Sequence, residues 1–141
     1  MIQEILAGWL GIEPGHYHQV SDSLHLYDGD PVSIQQPPAK VSAKSDIFAL
    51  PKDESTSVNE RMIEYIERII DERHTAAEIA GLVGAVSLPD AYRNALCVMV
   101  AEGLRRRKDI LRAKTVMSEC SSVTFSRMWL NWCERLRVPS E

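Results

Sequence analysis

The chain is poor in the residues that usually announce a chemistry. Its three cysteines, Cys97, Cys120 and Cys133, are an odd number with no CxxC spacing. That pattern argues against a disulfide framework; with no signal peptide, they read as reduced thiols of a cytosolic protein. No apolar run approaches the roughly 18 residues that a membrane-crossing helix needs, so no membrane partner is expected. Basic residues are in deficit: a formal net charge of -4 is the wrong sign for a generic nucleic-acid binder. There is no internal repeat, so a solenoid is not indicated.

The material that is present suits one domain. With 141 residues, 45% hydrophobic and 26% charged, the chain has the composition of an ordinary globular protein with one real core. Residues 2–10 read as a short helix, with Ile2, Ile5, Leu6, Trp9 and Leu10 on one face. Gly11 supplies a left-handed helix end, and Pro14 and Gly15 turn the chain. A helix this short is marginal alone, so its apolar face calls for something to pack against.

Residues 16–27 read as an extended strand or strand pair. Val20, Leu24 and Leu26 share one parity; Tyr17, Gln19, His25 and Tyr27 share the other. A bulge would shift this assignment partway along. Residues 29–56 are rich in turn formers and read as an irregular linker, pinned to the core by Ile47, Phe48 and Leu50.

From residue 57 the pattern is helical. Ser57 and Glu60 have the spacing of a capping box, and Met62, Ile63, Ile66, Ile69 and Ile70 form an apolar stripe. Thr75 and Glu78 form a second capping box. Pro89 suits the first turn of a helix running to about Arg107, with Tyr92, Leu96, Met99 and Leu104 inward. Asp109 and Ser122 cap two more, carrying Ile110, Leu111, Val116 and Met117, then Phe125, Trp129, Trp132 and Leu136. The expected class is α+β, predominantly α. It comprises a helix-strand segment (1–28), a linker (29–56) and about five helices (57–141), expected to pack as one compact domain, with short connections favouring antiparallel neighbours.

One passage is more specific than composition or periodicity. MIQEI at 1–5, LGIEPGHYH at 10–18 and SLHLYD at 23–28 resemble a run in thymidylate synthases and related pyrimidine nucleotide hydroxymethylases. There a helix reading roughly TMLQE leads into LGVELGxYHH and then SLHLYD. In that family the histidine and tyrosine of the H-[IL]-Y triplet bond the sugar hydroxyl of the nucleotide. The resemblance places those roles on His25 and Tyr27, with Asp22, Ser23 and His18 as neighbours behind them. Typical synthases carry aspartate where Ser23 stands.

The family activity that this implies is one-carbon transfer from methylenetetrahydrofolate to C5 of dUMP. The nucleophilic cysteine, the Arg-Ser phosphate segment and the asparagine that reads the base belong to earlier parts of such enzymes. None of Cys97, Cys120 and Cys133 follows a proline, and each lies in an expected helix, so no catalytic residue is assigned. The resemblance therefore implies a C-terminal portion that is not catalytically complete alone. Neither nucleotide nor folate is expected to bind tightly: two neutral hydrogen bonds contribute on the order of 0.5–1.5 kcal/mol each, too little against the cost of immobilisation. The alternative is a non-catalytic helical interaction module keeping a relic of the nucleotide-binding strand. Its expected partner is a second chain, or a second copy held through the N-terminal helix and strand.

Other constellations read as structural. His16 and His18, with Asp22 on the same parity, lack a further zinc ligand, so no metal site is expected. Arg105, Arg106, Arg107 and Lys108 form the only basic run, without interleaved aromatics; it reads as a solvated helix end. Phe125, Trp129 and Trp132 have core spacing rather than that of a stacking platform.

Overall fold

A computed structural model of the chain describes residues 2–16, 46–85 and 87–136. Among these residues there are six helices and no strand: α1 (Ile2–Leu10), α2 (Lys52–Ile70), α3 (Ala76–Gly81), α4 (Asp90–Arg106), α5 (Ile110–Ser118) and α6 (Val123–Arg135). The described fold is all-α, which corrects the α+β expectation. A strand needs a neighbouring edge to receive its backbone N–H and C=O groups, and no described element offers one. The strand expected at 16–27 lies outside the described residues from residue 17 onward, and His16 sits in irregular backbone.

The core is organised around α4. Leu96, Cys97, Val100, Ala101 and Leu104 are fully buried, and α2, α3, α5 and α6 all pack on this helix. α2 and α4 run in the same direction. Near their starts the Tyr92 hydroxyl donates to the Phe48 carbonyl at 3.1 Å; at their ends Arg107 Nη2 donates to the Asp71 carbonyl at 3.0 Å. They approach closely because Gly103 has no side chain: a Cβ there would lie 2.6 Å from Ile69 Cγ2.

Local signals explain most of the boundaries. Thr75 and Glu78 form the expected reciprocal capping box of α3. Asp109 accepts from the Arg112 amide at 3.1 Å to open α5, and Ser122 accepts from the Phe125 amide at 3.3 Å to open α6. Lys108, in the left-handed region at φ 64, ends α4, with the Asp109 amide reaching back to the Leu104 carbonyl.

The start of α2 differs from expectation. The helix begins at Lys52, after Pro51, with Asp53 and Glu54 in its first turn. A proline with helical φ and two acids at the positive helix end outweigh the later Ser57–Glu60 pattern. Ser57 therefore lies inside the helix, where its carbonyl accepts from Arg61 Nε at 3.3 Å.

Several residues of the expected apolar faces are not buried. Met62 and Ile69 are buried, but Ile63, Ile66 and Ile70 are exposed, as are Met99, Leu111, Trp132 and Leu136. The apolar arc of α2 is wider than its neighbours cover. α1 departs most. It docks through half-buried Ile5 and its small residues, with Ala7 buried and Gly8 pressed on the 49–50 backbone, where a Cβ would lie 2.6 Å from Leu50 N. Ile2, Leu6, Trp9 and Leu10 consequently face away from the body.

Candidate functional site

The residues singled out by resemblance, His18, Asp22, Ser23, His25 and Tyr27, lie outside the described residues. What is described is the approach to them. α1 ends at Gly11 in the left-handed region at φ 65, where L-residues are strained and glycine is not. The Gly11 and Ile12 amides donate back to Gly8 and Ala7 carbonyls at 3.3 and 3.0 Å. Gln3 Nε2 donates to the Gly15 carbonyl at 2.8 Å, folding the Glu-Pro-Gly turn back beside the helix.

A buried polar clamp fixes the chain where it returns to the body. Asp46 accepts from Asn94 Nδ2 at 2.7 Å and from the Ser122 hydroxyl, while Asn94 Oδ1 accepts from the Ser121 amide at 3.0 Å and hydroxyl at 3.1 Å. Asn94 is buried on α4, so these bonds form in a low-dielectric setting where an unmade bond is costly. Phe48 follows into the core, edge-on to Tyr92 at a centroid distance of 5.1 Å. Each group has its partner within the cluster, which makes this a fastening rather than a reactive centre. Sequence reading missed Asp46 and Asn94, because nothing local relates two residues 48 positions apart.

The thiols do not form a nucleophilic site. Cys97 is fully buried, and burial pushes its thiol up to about 11, far from the depressed values that activate a cysteine. Cys120 lies near it at partial burial. Among the described residues, no group of three His, Cys, Asp or Glu side chains is placed to hold a metal ion. None of the described helices is long and apolar enough to cross a membrane.

The basic run at the end of α4 is largely committed internally. Arg105 Nε and Arg106 Nε donate to Glu102 at 2.7 and 2.9 Å, and Arg107 spans the Gly103 and Asp71 carbonyls. The Arg105 bond, with Arg106 in support, holds the Glu102 carboxyl down to about 2. Arg106, at 75% exposure, and Lys108 stay open to solvent.

Beside Arg106 lies a groove of about 890 Å³ between the end of α2, the start of α3 and the second half of α4. Ile66, Ile69, Ile70 and Met99 line it together with Glu72, His74, Glu102, Arg106 and Arg107. Exposed apolar side chains bordered by charges of both signs are the usual make-up of a surface that packs against a partner. The sequence carried a signal for it in the pairs Met62-Ile63 and Ile69-Ile70, which mark two adjacent apolar rows on one helix. A smaller cavity near Lys114 and Cys133 is lined by Trp129, whose buried Nε1 has no hydrogen-bond partner.

No family model, curated protein or solved structure matches the chain.

Proposed function

We propose that this chain is the non-catalytic, helical part of a thymidylate synthase-like protein: a body that carries the family's sugar-binding passage but not its reacting groups. The observation that supports this most directly is the form of residues 2–16. The helix, the left-handed stop at Gly11 and the clamped Glu-Pro-Gly turn follow the helix-to-turn order of the resembling passage. His25 and Tyr27 then bind the sugar hydroxyl of a pyrimidine nucleotide, with dUMP the default. The nucleophilic cysteine comes from outside these 141 residues. The buried, poorly acidic Cys97 supports that division.

Methylenetetrahydrofolate enters only through the resemblance. The α2–α4 groove does not fit its anionic tail, because Glu72 and Glu102 line it beside Arg106, and Arg107 is held on the Gly103 and Asp71 carbonyls. No chemical step is assigned to the folate. A cytoplasmic location accords with the reading, as Cys97, Cys120 and Cys133 form no disulfide.

The outward face of α1 favours a second role alongside the first. Ile2 is 73% and Leu10 71% exposed on a nine-residue helix, a surface suited to packing against another chain that supplies the missing groups.

Ligand-observed NMR with dUMP tests the proposal. The chain alone should give weak saturation transfer, with a Kd on the order of 1 mM or higher, lost in His25→Ala and Tyr27→Ala, and should form no dTMP when folate cofactor is added. Transfer that is indifferent to both substitutions, or turnover by the chain alone, contradicts it.

A further inference from the structure

We propose that the exposed isoleucine row of α2 is a self-association surface: it receives the same row of a second copy, with the two α2 helices side by side and parallel. This goes beyond the nucleotide reading and does not depend on it. Ile63, Ile66 and Ile70 are 56%, 36% and 70% exposed, and Met99 of α4 extends the row at its edge. With Asn59 they fall at intervals of four, three and four residues, the spacing of a coiled-coil seam. The row that packs inside the molecule, Ser55, Val58, Met62 and Ile69, is a separate one. α2 therefore carries one seam for its own core and a second with no partner among the described residues.

Charge selects the occupant and its direction. At about 100° per residue, Glu60 and Glu67 lie on the flank of the exposed row that faces away from α4. The opposite flank belongs to the end of α4, where Arg105, Arg106, Arg107 and Lys108 outnumber Glu102, and where Arg106 stays 75% exposed although its Nε bonds Glu102. A two-fold axis parallel to α2 places the acidic flank of each copy against the Arg106 flank of the other. An axis across α2 would instead set Glu60 and Glu67 against their own counterparts. Only the parallel pairing is complementary, and its isologous contact closes at two copies. The seam turns polar towards the start of α2, at Asn59, Thr56 and Lys52, which confines the apolar contact to its last turns.

Sedimentation equilibrium of the full chain should show a reversible dimer. Ile66→Glu should raise the dissociation constant by about a hundredfold or more, a loss of about 2.7 kcal/mol, with an unchanged helical circular dichroism signal because Ile66 lies on the surface. Leu6→Glu on α1 should leave the dimer intact. In a background with Cys120→Ser and Cys133→Ser, I70C should oxidise rapidly to a linked dimer, since parallel helices bring the two copies of position 70 together. Glu67→Lys and Arg106→Glu should each weaken association, and the double variant should recover part of the loss. A chain that stays monomeric at 100 μM (a concentration of about the Kd for a contact of 5.5 kcal/mol) overturns the proposal. So does a dimer sensitive to Leu6→Glu but not Ile66→Glu. A dimer in which I70C does not link overturns the parallel arrangement.

Discussion

α4 and α1 are both helices with several large apolar residues, yet they use them in opposite ways. α4 turns Leu96, Val100 and Leu104 into the centre of the body, where helices on several sides exclude water from them. α1 turns Ala7 and Gly8 inward, and leaves Ile2, Leu6 and Leu10 in solvent. Apolar content alone therefore did not decide which helix is core. The difference lies in how many neighbours surround each helix, and in whether its small or its large face meets them. α4 holds the molecule together, while α1 is held to it by the close approach of Gly8 to the Leu50 backbone, by buried Ala7 and by half-buried Ile5.

The sharpest way to break this comparison is to truncate matched leucines. Leu96→Ala should cost about 2–5 kcal/mol of unfolding free energy, because it opens a cavity at a site with no exposure. Leu6→Ala should change stability by less than about 0.5 kcal/mol, as expected for a surface side chain. Chemical denaturation of the two variants checks both, and similar losses would abolish the distinction.

A smaller effect is expected at the fastening between the body and the 46–50 segment. Asn94→Ala removes the amide that joins Asp46 to Ser121 and should cost about 1–3 kcal/mol, the penalty for buried polar groups left unpaired. Its effect should spread to Phe48 and Tyr92, seen as a change in near-ultraviolet circular dichroism. A loss confined to stability, with aromatic packing untouched, would assign the clamp a purely local role.

The smallest effect concerns pH. The folded-state pKa of Glu102 is lowered to about 2, first by the Arg105 hydrogen bond, from an ordinary value near 4.5. Its contribution is thus fully present above about pH 4.5 and is lost as pH falls towards 2. Glu102→Gln should make stability less dependent on pH in that window and leave the slope unchanged at pH 6–8. An acid titration of the melting temperature checks this. An unaltered acid limb would show that this α4 network does not govern acid sensitivity.

Legibility in the sequence followed the range of the interactions concerned. The caps at Thr75, Asp109 and Ser122, and the stop at Gly11, are settled by a few neighbouring residues and were read correctly. The early start of α2 was missed because two local signals competed and Pro51 prevailed over Ser57. Which isoleucine row of α2 turns inward depends on where α4 lies, and Met62-Ile63 and Ile69-Ile70 satisfy either choice. The inward turn of α1 depends on Gly8 meeting the Leu50 backbone, 42 positions away in the numbering of the chain. Residue pattern cannot carry such a contact. The thymidylate synthase-like passage was legible only as a resemblance, and His25 and Tyr27 lie outside the described residues.

The central claim, that α4 carries the stability of the body while α1 is a separately held helix offering its large face outward, is tested most directly by residue-resolved amide hydrogen exchange. In the native chain, α4 amides should exchange only through global unfolding, and α1 amides through a local opening of much lower free energy. In Gly8→Ala, whose new Cβ meets the Leu50 backbone, protection in α1 should vanish while that of α4 stays unchanged. Protection in α1 equal to that in α4, lost together with it on the same substitution, would contradict the account.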